Sequence, residues 1–144
     1  MISTALAASL RERGLVWTPA SGDAFQISGP DFEGDVFTVS DMTIEAHAYP
    51  SGTVLGFNGT TEWALDSVAI DDALWLPRED QLRDALAGTF VSMTRDVGAE
   101  KRASTDPVSY AVTTRVNGAE ARFVSDDPAE AYGLALLALL RAAG

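Results

Sequence analysis

Residues 53–86 read TVLGFNGTTEWALDSVAIDDALWLPREDQLRDAL, and this stretch decides the fold class. Val54, Leu55 and Phe57 form a short apolar run before Asn58-Gly59, and Thr61 to Asp66 follow the pair. Asn-Gly between two such runs signals a two-residue turn, because a type I′ turn needs positive φ at both central residues. The pattern predicts antiparallel strands over 53–57 and 61–66. Leu74-Trp75-Leu76 then leads into Pro77, which is predicted at the first helical position, where its missing N–H costs no helical bond. Leu82, Ala85 and Leu86 give the helix an apolar face, Glu79 and Arg83 pair across one turn, and Gly88 is placed to end it in a left-handed cap. Trp63 and Trp75 are expected to pin hairpin and helix to a common core. The functional alternative is that they line a ligand groove.

Working outward, the N-terminal side predicts a helix capped by Ser3 or Thr4, with Ala5, Leu6 and Leu10 on its apolar side and Gly14 at its end. Trp17-Thr18-Pro19 echoes Trp75-Leu76-Pro77, but no repeat period accompanies the echo. Ser21-Gly22-Asp23 is a turn signal, and 24–27, 35–40 and 43–49 carry strand patterns. On the C-terminal side, 89–94 alternates as a strand and 95–107 is a polar loop. Asn117-Gly118 joins strands over 108–116 and 119–124. Asp127-Pro128-Ala129-Glu130 opens a last helix with a cap, Pro at N1 and an acid at N3. Tyr132, Leu136, Leu139 and Leu140 form its stripe, widened by Leu134 and Leu137, so it is either buried on the sheet or half of a homodimer interface. The expected fold is α+β: a single domain over 1–144, mostly antiparallel sheet of meander and hairpins, covered by about three helices.

Composition narrows function by exclusion. The 144 residues are 47% hydrophobic and include no cysteine, which rules out disulfides, thiol nucleophiles and thiolate metal sites. Residues 1–14 lack a basic n-region and no apolar run reaches the length of a membrane span. The expectation is a cytoplasmic protein with no membrane contact. Lys101 follows Glu100, so the Gly-Lys-Ser/Thr of a P-loop is missing. One histidine, His47, cannot build a zinc site by itself, and no Gly-x-Ser-x-Gly elbow supports it in a triad. Asp31-Phe32-Glu33-Gly34-Asp35 alternates acids, but with Gly34 at position 4 and Met42 at position 12 it does not match a calcium loop. No cofactor, catalytic residue or metal ligand is assigned.

The charge pattern is the positive signal. The net charge is −11, from 10 basic and 21 acidic residues. Between Arg13 and Arg78 there is no Lys or Arg and there are ten acids, which leaves eleven acids and ten bases in the rest. Such a field repels nucleic acid and anionic lipid and attracts a basic protein partner; the plainer role is solubility. The residues that join aromatic anchors to local charge are Glu62, Trp63, Asp66, Asp71, Asp72 and Trp75, and these are the candidate binding residues.

GFNGTTEWALDS (56–67), LWLPREDQLRDAL (74–86), RGLVWTPASGD (13–23) and VFTVSDMTIE (36–45) together give the chain its resemblance to a family of small uncharacterised proteins from GC-rich bacteria. The resemblance covers most of 10–88. Some members carry a pilus-assembly label, whose ATPase activity needs the P-loop this sequence lacks. As an analogy of class, the chain resembles type III secretion chaperones in being small, acidic and mixed helix and strand, and small acidic immunity proteins in composition. The expected function is therefore a non-enzymatic acidic protein-binding or adaptor module whose 14–77 half meets a cationic partner. The alternatives are a divalent-metal hydrolase or transferase built on carboxylates, and a structural or chaperone-like homodimer joined through 128–142.

Overall fold

The computed structural model describes residues 1–29, 34–39, 44–49, 52–57, 67–69, 72–97 and 108–144, with the backbone alone over 44–49, 52–57 and 67–69. The fold is α+β. The chain divides into two compact units, one made of Met1–Leu15 with Pro77–Gly144 and the other of Val16–Leu76.

In the first unit, helices α1 (Thr4–Glu12), α2 (Glu79–Leu86) and α3 (Pro128–Ala143) accompany a three-stranded sheet. That sheet is a meander of β7 (Phe90–Asp96), β8 (Ser109–Val116) and β9 (Ala119–Ser125), in the order β7-β8-β9, all antiparallel. The Asn117-Gly118 hairpin forms as predicted: Asn117 has φ 51° and Gly118 φ 81°, and Val116 stands opposite Ala119. α3 packs on β8 and β9 and also against α1 and α2. Contact on several sides is why it is apolar around most of its circumference. Tyr132 is buried and stacks obliquely on Phe90 at 5.7 Å, tying α3 to β7. Leu10, Leu82, Leu86, Val112 and Leu136 are the largest side chains closed off completely from water. Each such burial is worth about 1.5–3 kcal/mol.

The caps show how the helices are placed. Ser3 caps α1, its Oγ accepting from Leu6 N at 3.2 Å. Leu6, Ala7 and Leu10 make the buried stripe, so Ala7 takes the place expected of Ala5, which is exposed. Asp127 caps α3 as expected, its Oδ1 accepting from Ala129 N at 2.8 Å and Glu130 N at 3.3 Å. The terminal ammonium of Met1 donates to Asp127 Oδ2 at 2.8 Å, and Ser3 N donates to Glu130 Oε1. Burial pushes the Asp127 carboxyl up, but the Met1 ammonium and the two backbone N–H groups outweigh it and hold the carboxyl below its ordinary value.

Two expectations for α2 are corrected. The helix starts at Glu79 after an extended Arg78, so Pro77 lies outside it and not at its first position. Gln81 fixes this start, its Oε1 accepting from Arg78 N at 2.9 Å. At the far end Ala87, and not Gly88, takes the positive φ (52°, with ψ −132°) before a 3-10 turn over Ala87–Thr89. Thr89 Oγ1 donates to the Leu86 carbonyl at 2.6 Å and draws the chain back one residue early.

The second unit holds two antiparallel three-stranded sheets. The first has β1 (Ala24–Ile27) between β2 (Phe37–Thr38) and β6 (Ala73–Leu76). The second has β4 (Gly52–Phe57) between β3 (Ile44–Tyr49) and β5 (Ser67–Ala69). Tyr49 stands opposite Gly52. The Asn58-Gly59 expectation is not met by the register. Leu55 stands opposite Val68, six residues beyond the partner a two-residue turn there would give it. An even displacement keeps the same side chains on each face, so the apolar pattern does not oppose it. The strand expected over 61–66 lies outside the described residues. Among the described residues no helix is long and apolar enough to cross a membrane.

Candidate functional site

Every acid of the base-free interval falls inside the Val16–Leu76 unit. Its ten acids, with no Lys or Arg, give it a formal charge of −10, and the other unit, with eleven acids and ten bases, carries −1. The charge boundary read from sequence and the boundary of the compact unit agree within two residues.

The β2-β1-β6 sheet builds an aromatic face in this unit. Phe25 stands opposite Phe37 on one side and Trp75 on the other, so the three share one face. Phe25 is closed off from water and its ring lies 5.7 Å from that of Phe37. Trp17 lies over the row, 5.5 Å from Phe25 and stacked on Trp75 at 6.5 Å and 10°. Ile27, Val39 and Ala73 complete the cluster. The Trp-x-Pro echo in the sequence thus corresponds to two indoles in contact.

A buried aspartate holds Trp17 in place. Asp23, 2% exposed, accepts at Oδ2 from Trp17 Nε1 at 2.9 Å and from Ala20 N at 3.0 Å. Its carbonyl accepts from Val39 N at 2.8 Å, and the Val39 carbonyl accepts from Gly22 N at 2.7 Å. Asp23 therefore joins the 20–23 turn, the indole and the chain after β2. Its carboxylate serves as a hydrogen-bond acceptor within the fold. Trp17 and Asp23 were not among the candidate site residues. The signals for them were the echo and the Ser-Gly-Asp turn.

The predicted binding residues divide. Trp75 is half-buried in the aromatic face, and its buried Nε1 has no hydrogen-bond partner among the described residues. Trp75 thus lies with the aromatic residues of its own sheet; Trp63, expected to join it in pinning hairpin and helix to a common core, lies outside the described residues. Asp72 is exposed just before β6, and its carbonyl accepts from Ser28 N at 2.8 Å, extending the β1–β6 pairing by one bond. Asp35 is exposed before β2. Glu62, Trp63, Asp66 and Asp71 lie outside the described residues. Among the described residues no three of His, Asp and Glu are grouped so as to hold a metal ion. Comparison of the chain with family models, with curated proteins and with solved structures gave no match.

Proposed function

We propose that the chain is a non-enzymatic binding module whose Val16–Leu76 unit meets a cationic segment of a partner protein. One observation carries this reading: the ten-acid, base-free interval coincides with one compact unit, so its charge belongs to one body. A body of one sign steers an oppositely charged partner and rejects polyanions. Asp35 and Asp72 stand exposed on the unit, whereas Asp23 is turned inward to hold Trp17.

The test uses a lysine- and arginine-rich peptide as probe against the full chain. Binding is expected to weaken as salt rises from low to physiological, since exposed charges are screened beyond about 8 Å at about 0.15 M. Replacing Asp66, Asp71 and Asp72 by Asn should weaken it further. Replacing Glu79, Asp80 and Asp84 of α2 by neutral residues removes the same charge from the other unit and should leave binding nearly intact. Equal loss in both triple variants would reduce the effect to net charge and defeat the proposal, as would binding indifferent to salt.

A further inference from the structure

The β7-β8-β9 sheet has two edges, and they differ. β7 is interrupted by an irregular register between Phe90 and Ser92, the kind of bulge that spoils an edge for further pairing. β9 is regular: seven successive residues, Ala119 to Ser125, stand opposite Val116 to Tyr110 without a break. Five of those seven are exposed, and among the described residues no strand lies on the outer side of β9. α3, the helix expected to offer an interface, packs on the sheet and the other two helices and leaves Leu134 as the exposed leucine of its stripe. The regular edge is the better surface for a second chain.

The sequence of β9 selects its partner. The hairpin turn closes on Val116 and Ala119, a hydrogen-bonded pair in a two-residue hairpin. Alternation along the ladder then turns the backbone N–H and C=O of Glu120, Arg122 and Val124 outward. A two-fold axis normal to the sheet must pass through a residue, because facing residues of an antiparallel pair share a face. A centre on Glu120 sets Glu against Glu, and a centre on Arg122 sets Arg against Arg. A centre on Ala121 sets Glu120 against Arg122 twice, and there these two residues exchange their outward backbone bonds. Within each chain Glu120 already accepts from the Arg115 guanidinium on β8, so it would lie between two arginines.

We infer that β9 pairs antiparallel with β9 of a second copy about Ala121, forming a six-stranded sheet that carries both copies of α3 on one face. This interface lies outside the acidic unit and stands independently of the proposed function.

The native chain has no cysteine, which makes cross-linking a clean test. Ala121 of the two copies would form a non-hydrogen-bonded pair with Cα atoms about 4.5 Å apart, within disulfide reach. Ala121→Cys should give a covalent dimer under mild oxidation, whereas Val91→Cys on the exposed part of β7 should not. In sedimentation the native chain should show a concentration-dependent monomer–dimer equilibrium. Glu120→Arg and Arg122→Glu should each weaken it about tenfold by setting like charges opposite. A mixture of these two variants restores both opposite-charge pairs and should recover the dimer, which a loss of folding could not do; circular dichroism checks each chain. A monomer at every concentration, cross-linking no faster than in Val91→Cys, or no recovery in the mixture would overturn the inference.

Discussion

Gly133 in α3 sits where α1 crosses it, and the crossing makes a quantitative prediction. A Cβ built at 133 would lie 2.6 Å from Leu6 Cδ2, 3.2 Å from Ile2 Cδ1 and 3.3 Å from Leu6 Cγ. Carbon atoms rest at about 3.5–4.0 Å, so Leu6 Cδ2 would have to retreat by about 1 Å. Leu6 and Ile2 are only 7% and 3% exposed, so that movement takes place inside packed surroundings. Overpacking of this kind costs about 1–3 kcal/mol, and Gly→Ala within a helix returns about 1 kcal/mol. Gly133→Ala should therefore destabilise the chain by about 0–2 kcal/mol. In a Leu6→Ala background, itself about 2–5 kcal/mol less stable, both Leu6 contacts are gone and only Ile2 Cδ1 at 3.2 Å has to give by a few tenths of an ångström, so the same substitution should stabilise by up to about 1 kcal/mol. The coupling between the sites is then about 1–3 kcal/mol, in the range for residues in contact. Urea unfolding followed by circular dichroism at the helix band measures all four proteins. If Gly133→Ala stabilises the native and Leu6→Ala chains equally, α1 does not cross α3 at this glycine and the reasoning fails.

Ala87 holds a backbone conformation that suits glycine, and Ala87→Gly should raise stability by about 1 kcal/mol, strain relief exceeding the added freedom of the unfolded chain; a fall in the urea midpoint would contradict this. The Asp127 carboxyl is held below its ordinary value in the folded chain, so its contribution is present above about pH 4 and is lost as pH falls through the lowered folded value. Asp127→Asn keeps an N-cap acceptor but should flatten the acid limb of the stability–pH curve, and an unchanged slope would remove the Met1–Asp127 pair from the account. Trp17→Phe deprives the buried Asp23 of one donor and should cost about 1–3 kcal/mol by chemical denaturation.

Local signals predicted local structure well. Asn117-Gly118 fixed a hairpin because both conformations it needs lie within two residues, and the Asp-Pro-x-Glu start of α3 lies within one turn. The same dipeptide at Asn58-Gly59 did not set the register of β4, whose neighbour β5 begins nine residues after Asn58. The β1–β6 pairing was illegible for a different reason. Both strands have four residues, and Ile27 and Ala73 are 46 positions apart, so nothing nearby in sequence reports the partner. At the end of α2 the glycine was visible and its position was not: the Thr89 hydroxyl bond to Leu86 moved the reversal onto Ala87.

The candidate site was legible as a sum and less so as a set of residues. Formal charge is additive, so the excess of acids over 16–76 could be counted without knowing the fold. What each acid does depends on where its carboxylate points. Asp23 belongs to the count yet is buried and bonded to Trp17 Nε1, so its energy goes into the aromatic face. Asp35 and Asp72 are exposed and leave their charge to the solvent side. The two indoles divide in the same manner: Trp17 has its N–H satisfied by Asp23, whereas the buried Nε1 of Trp75 has no acceptor among the described residues. Stability and recognition are therefore separable within one acidic unit. Neutralising Asp23 should lower the unfolding free energy, whereas neutralising Asp72 should act on the salt-dependent binding of a cationic probe.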